Sequence, residues 1–78
     1  MAREYTYSIV LDPDPDEGGY TVTVPALPGV VTQGDTVEEA IANAGEAIRC
    51  HVEGLLADGE PVPEEREHPR LVTVRVAA

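Results

Sequence analysis

The sequence contains no Phe, no Trp, no Lys and one Cys. With three Tyr as its only aromatics, any core must come from Val, Leu, Ile and Ala, and thin cores of this kind are commonly supplemented by oligomerisation. The single thiol, Cys50, excludes an intrachain disulfide, and no Cys/His set has zinc-ligand spacing, which fits a reducing cytoplasm. Cations are scarce: five Arg stand against fifteen carboxylates, for a net charge of -10, so nucleic-acid phosphates would be repelled and no direct nucleic-acid binding is expected. No apolar run approaches the roughly 18 residues of a membrane span, and MAREYTYSIVLD is too short in apolar length for a signal peptide. No cofactor motif occurs. The expectation is an acidic, cytoplasmic protein whose 78 residues form a single domain over positions 1–78.

Tyr5, Tyr7, Ile9 and Leu11 alternate with Thr6, Ser8 and Val10, the period-two pattern of a first strand. DPDPDEGG, with two prolines and two glycines among four carboxylates, reads as the following turn. Tyr20, Val22 and Val24 alternate with Thr21 and Thr23 as strand two. Pro25 and the Pro28-Gly29 dipeptide demand a reversal before a short strand three, about Val30 to Gln33. Thr36 and Glu39 form a T-x-x-E capping box that starts a helix.

Val37, Ala40, Ile41, Ala44, Ile48, Val52, Leu55 and Leu56 recur at spacings of three and four, which makes that helix amphipathic and about 33 Å long if it runs from Thr36 to Ala57. Asp58-Gly59 stops it, Glu60 to Pro69 is a polar connection, and Leu71 to Val76 alternates again as strand four. The fold class is therefore α+β, in the order β-β-β-α-β. The helix covers one sheet face, and a right-handed crossover returns strand four parallel to strand one.

Candidate sites are few. Asp12, Asp14 and Asp16 have the alternation of a calcium loop, but Glu17 stands where that loop needs Gly and Thr23 where it needs Glu, so a solvated hairpin tip is the better reading. His51, His68 and Cys50 have no partner at a spacing that suggests a triad or ligand set. Charge is concentrated in two acidic loops, and Asp14, Asp16 and Glu17 in the first and Glu60, Glu64 and Glu65 in the second are candidates for attracting a basic protein; the alternative is plain surface solubility.

The succession Gly19-Tyr20-x-Val22, Pro25-x-Leu27-Pro28-Gly29, Thr32-Gln33-Gly34-Asp35-Thr36, Glu38-Glu39-Ala40 and Asn43-Ala44-x-Glu46-Ala47-Ile48 resembles the HicB antitoxin family along most of the chain. Tyr20, Pro25, Leu27, Pro28, Gly29, Gly34, Thr36, Glu39, Ala40, Ala44 and Ile48 are the positions expected to determine the fold. The resemblance implies a partial ribonuclease H-like core with strand order 3-2-1-4. It also implies a non-catalytic antitoxin that forms homo-oligomers, dimers or tetramers, and covers the RNA-cleaving site of a small basic HicA-type ribonuclease.

Many such proteins carry a C-terminal DNA-binding segment. This sequence stops at Ala78, directly after the fourth expected strand, and is expected to be a short form without it. A solitary structural or regulatory domain without a toxin is the alternative reading. A metal-dependent nuclease is the weaker one, because strand one has no acid at its centre and strand four has none at all.

Overall fold

The computed structural model describes residues 3–78. Its ordered elements are β1 (Val10–Pro13), β2 (Tyr20–Thr23), β3 (Val31–Gly34) and α1 (Val37–Ala57), and the strands form an antiparallel sheet in the order β1-β2-β3. Val10 pairs with Thr23 and Pro13 with Tyr20, while Tyr20 pairs with Gly34 and Thr23 with Val31.

The first strand is displaced from its expected place. The ladder covers Val10–Pro13, and residues 3–9, which include Tyr5 to Ile9 of the expected strand, have no ladder partner. Two prolines explain the shift. Beyond Thr23, β2 meets Pro25, which has no amide to donate and starts a turn, so Tyr5 to Ile9 have nothing to pair with. Pro13, expected in the turn, joins the ladder instead. The Asp14 amide bonds the Gly19 carbonyl at 3.0 Å, so even-numbered positions face β2 and the missing amide of Pro13 faces the open edge, where a proline costs no bond.

The segment between β2 and β3 is two consecutive turns. The Leu27 amide bonds the Val24 carbonyl at 2.9 Å and the Val30 amide bonds the Leu27 carbonyl at 3.1 Å. Pro25 and Pro28 each stand second in their turn, and Gly29, third in the latter, has φ +95, as a type II turn requires. Both prolines are exposed while Leu27 between them is buried. Leu27 packs with Val24 and Val30 against Tyr7, Ile9, Ala47 and Ile48. A second cluster of Val22, Ala40 and Ala44 packs against Ile9, Leu11 and Tyr20.

Helix α1 begins and ends as its sequence dictates. Thr36 is the N-cap, its hydroxyl accepting from the Glu39 amide at 3.1 Å, and Glu39 reaches back to the Asp35 amide at 3.2 Å. At the other end Gly59 has φ +70, the Gly59 amide bonds the Leu56 carbonyl and the Glu60 amide bonds the Leu55 carbonyl, which is the Schellman arrangement. The apolar stripe is wider than what covers it: Ala40, Ala44 and Val52 are buried, Ile48 and Leu55 half-buried, but Val37, Ile41 and Leu56 are exposed. Three short strands cannot cover a stripe this broad.

The expected fourth strand does not form within the chain, so the observed sheet is three-stranded and the order 3-2-1-4 is not seen. Residues 71–78 have no ladder partner and are exposed, Leu71 at 99%. The polar connection before them is held against strand one at Tyr7 and Ser8, and the chain leaves the sheet from there.

Gly34 joins the sheet to the helix. A Cβ there would lie 2.4 Å from the Ala40 amide nitrogen and 2.6 Å from its Cα, backbone atoms that cannot yield. Gly34→Ala is expected to destabilise the fold by about 1–3 kcal/mol or more. Gly45, in the same helix and with open space around it, should gain about 0.5–1 kcal/mol on Gly45→Ala. Leu27→Ala should cost about 2–5 kcal/mol. Urea unfolding of the three variants checks all three signs.

Candidate partner-binding surface

The first acidic loop is ordered by one of its own carboxylates. Asp14 Oδ1 accepts from the Asp16 amide at 2.9 Å and the Glu17 amide at 3.1 Å, and the Gly18 amide closes the turn on the Asp14 carbonyl. The amides of Glu17 and Asp16 hold the Asp14 carboxyl below its ordinary pKa. Asp14 thus builds the hairpin tip, while Asp16 and Glu17 extend into solvent.

Gly19 lets this tip settle against the end of β3. Its φ is +75, and a Cβ there would stand 2.8 Å from the Gly34 carbonyl oxygen. The approach places Asp14 and Glu17 with Asp35 and Glu39 around a polar hollow of about 340 Å3, completed by Gln33 and Asn43. Asn43 Nδ2 donates to the Gln33 carbonyl at 2.7 Å, tying the helix to the strand on the hollow's floor. Sequence reasoning used Glu39 for the helix cap and Asp35 only within the family pattern, and missed that they share a surface with the hairpin. The signal was the pair Gly19 and Gly34, whose missing side chains allow the two loops to meet.

The second acidic loop lies elsewhere, and two of its four carboxylates are committed. Glu64 is paired with Arg3, whose guanidinium also lies 5.0 Å from the centroid of the Tyr5 ring. Glu65, with only 4% of its side chain exposed, accepts from the Ser8 amide at 2.8 Å and the Ser8 hydroxyl at 2.6 Å, and also contacts His68. The Tyr7 hydroxyl donates to the Pro63 carbonyl. Glu60, just past the helix, and Glu67 are exposed without such contacts among the described residues. The six candidate residues therefore form two separate sets, of which the hairpin presents free charge and the connection largely does not.

Beside the connection, Tyr5, Tyr7, Gly45, Ile48, Val52 and Leu56 line an apolar groove of about 830 Å3 between residues 3–7 and the second half of α1. The Tyr5 and Tyr7 rings stack there, 6.5 Å apart and 6° from parallel. Among the described residues no group of three or more His, Cys, Asp or Glu could hold a metal ion, and no helix is long and apolar enough to cross a membrane. Cys50 is exposed and free, and His51 is half-buried on the helix.

The Ser8 hydroxyl, the His68 ring and the Ser8 amide hold the Glu65 carboxyl down at about 2, against an ordinary 4.5. Because the folded state lowers this pKa, the contact stabilises fully above the ordinary value and is lost as pH falls from 4.5 towards 2. Glu65→Gln should lower the melting temperature, and the gap to the wild type should close across that interval. A gap that stayed constant would mean that the Glu65 charge plays no part in docking the connection.

The chain matches, over residues 7–73, the family described as HicB_like antitoxin of bacterial toxin-antitoxin system. It is 48% identical over 61 residues to a UPF0150 protein of Synechocystis sp., spanning 78% of this chain and 76% of that one. It is 44% identical over 68 residues to a UPF0150 protein of Thermoplasma acidophilum, covering 87% of this chain and 94% of the relative. Antitoxin HicB of Escherichia coli K12 is 39% identical over 57 residues, which is 73% of this chain but 41% of the relative, so the match spans about two fifths of that longer protein. A match over this much of the chain, with relatives of this identity, places it among non-catalytic antitoxins rather than enzymes: the protein belongs to the HicB-like antitoxin family.

Proposed function

We propose that this protein is the antitoxin of a cytoplasmic toxin–antitoxin pair, a single domain over residues 1–78 that binds a small basic HicA-type ribonuclease and covers its RNA-cleaving surface. The observation that carries the choice of surface is the hairpin hollow, where Asp14, Glu17, Asp35 and Glu39 converge with Asp16 extended beside them. A nuclease that grips RNA phosphates presents a cationic face, and converging carboxylates compete for it. The net charge of -10 adds long-range attraction that speeds encounter and weakens with salt. Glu64 and Glu65 play a lesser part in this reading, since their charges are already engaged by Arg3 and by Ser8 with His68.

The second reading is a solitary homo-oligomeric domain with a regulatory or structural task. The observation favouring it is that the chain matches 94% of one relative whose name carries no toxin or antitoxin role, but 41% of a relative named as an antitoxin.

Affinity capture from the native source, coupled to a search for a small basic reading frame beside the gene, separates the two. A co-purifying basic ribonuclease supports the antitoxin; absence of both would overturn it. With the toxin in hand, Asp16→Lys with Glu17→Lys should slow association about tenfold at low salt and much less at high salt, leaving the fold intact. Asp14 is kept, because its carboxylate orders the turn. An unchanged association rate would remove the hairpin from the interface.

A further inference from the structure

An outer strand presents amides and carbonyls that can add a strand from another chain, so each free edge of a sheet is a liability. Which groups face outward on β3 follows from the ladder. The Asp14–Gly19 bond turns the even-numbered positions of β1 towards β2, so Thr21 and Thr23 bond β1, while Tyr20 and Val22 bond β3. Gly34 and Thr32 answer Tyr20 and Val22. Val31 and Gln33 therefore direct their backbone groups outward, and Asp35 is the next in that series.

Two of these three positions are already covered by side chains of α1. Asn43 Nδ2 donates to the Gln33 carbonyl at 2.7 Å, and Glu39 Oε1 accepts from the Asp35 amide at 3.2 Å. The helix thus offers a donor to an outward carbonyl and an acceptor to an outward amide, as a neighbouring strand would. The spacing permits it: Glu39 and Asn43 lie about one helical turn apart, about 5.4 Å, and the two residues from Gln33 to Asp35 span about 6.8 Å. On the opposite edge, Pro13 stands in the same row through Tyr20, and its missing amide leaves that strand end nothing to donate.

A simple tie between helix and strand is not what this position lacks. The Gly34–Ala40 backbone approach and the packing of Ala40 and Ala44 on Val22 already hold the first half of α1 against the sheet. The edge, by contrast, is in need of cover. Val30, Val31 and Thr32 are a β-branched run, and Val31 is 61% exposed with its own amide and carbonyl open.

We propose that Asn43, with Glu39, closes the outer edge of β3 against strand addition and so keeps copies of this chain from joining edge to edge through β3. Without the Asn43 amide, Val31 and Gln33 would together offer two amides and two carbonyls in one row. Two copies meeting antiparallel about a two-fold axis could pair them all.

The edge is closed whether or not a toxin binds, and the test uses none. Asn43→Ala removes the donor and replaces it with a better helix former. Light scattering of the full-length chain, over a range in which the wild-type mass is constant, should show the variant's mass rising with concentration, and circular dichroism should show its strand content rising in step. Val31→Lys added to that variant puts a charge on the edge and should restore the wild-type mass. General repulsion would not explain the rescue, because a lysine brings a net charge of -10 nearer to zero. An Asn43→Ala chain that loses stability to urea but keeps the wild-type mass at every concentration overturns the proposal, as does association that Val31→Lys leaves unchanged. If Asn43→Ala does not fold, Asn43→Ser, polar but too short to reach the carbonyl, is held to the same outcomes. Failure of both to fold would make Asn43 a structural tie and overturn the proposal as well.

Discussion

The close approach of Gly34 to Ala40 is the constraint on which the rest of the structure depends. No side chain fits between the end of β3 and the first turn of α1, so sheet and helix are joined through backbone contact at the point where the chain passes from one to the other. That contact sets the height of the helix over the sheet, and hence that small Ala40 and Ala44 fill the space above Val22. It also leaves the Gly34 carbonyl where Gly19 can settle on it, which draws the acidic hairpin towards the helix N-terminus. Thus one missing methyl group shapes both the core and the acidic hollow, although no catalytic or ligand-binding group is involved.

How much of this was legible depended on whether the signal was local. The helix could be read to its ends, Val37–Ala57, because the Thr36–Glu39 cap and the Gly59 stop act within a few residues. The double turn around Leu27 was legible as a reversal, since prolines and glycine act on their own dihedrals. What a strand pairs with is not local. Tyr5 to Ile9 have the alternation of a strand and no partner in the sheet, while Pro13, which looked like a terminator, is accommodated because its amide faces outward. The acidic site shows the same division: the hairpin was visible as a run of carboxylates, but its convergence with Asp35 and Glu39 depends on the register of Tyr20 with Gly34.

The connection after the helix illustrates how a charged residue can serve position before recognition. Glu65 is one of fifteen carboxylates and resembles the others in sequence, but two bonds to Ser8 and one contact to His68 make it the pin that fixes the chain's return path. Charge-assisted bonds of this kind are stronger than neutral ones and directional, so they can direct a segment that has little apolar surface of its own. Counting acids along a loop therefore overstates the charge available to a partner. Exposure and existing bonds decide how much is left.

That return path, in turn, determines what the C-terminal segment can do. A fold this small, without Phe or Trp, buries little, and here the sequence has spent four large apolar residues, Leu71, Val72, Val74 and Val76, on a stretch that lies almost wholly in water. Leaving such a segment exposed works against folding, whereas pairing it returns both its apolar surface and a row of backbone bonds to the ladder. The pin at Ser8 binds an amide that faces the β2 side, so the connection reaches strand one from the side away from its open edge before the segment begins. The shortage of large core residues and the exposed apolar segment are thus two sides of one constraint: three short strands and one helix do not bury all the apolar surface the sequence carries.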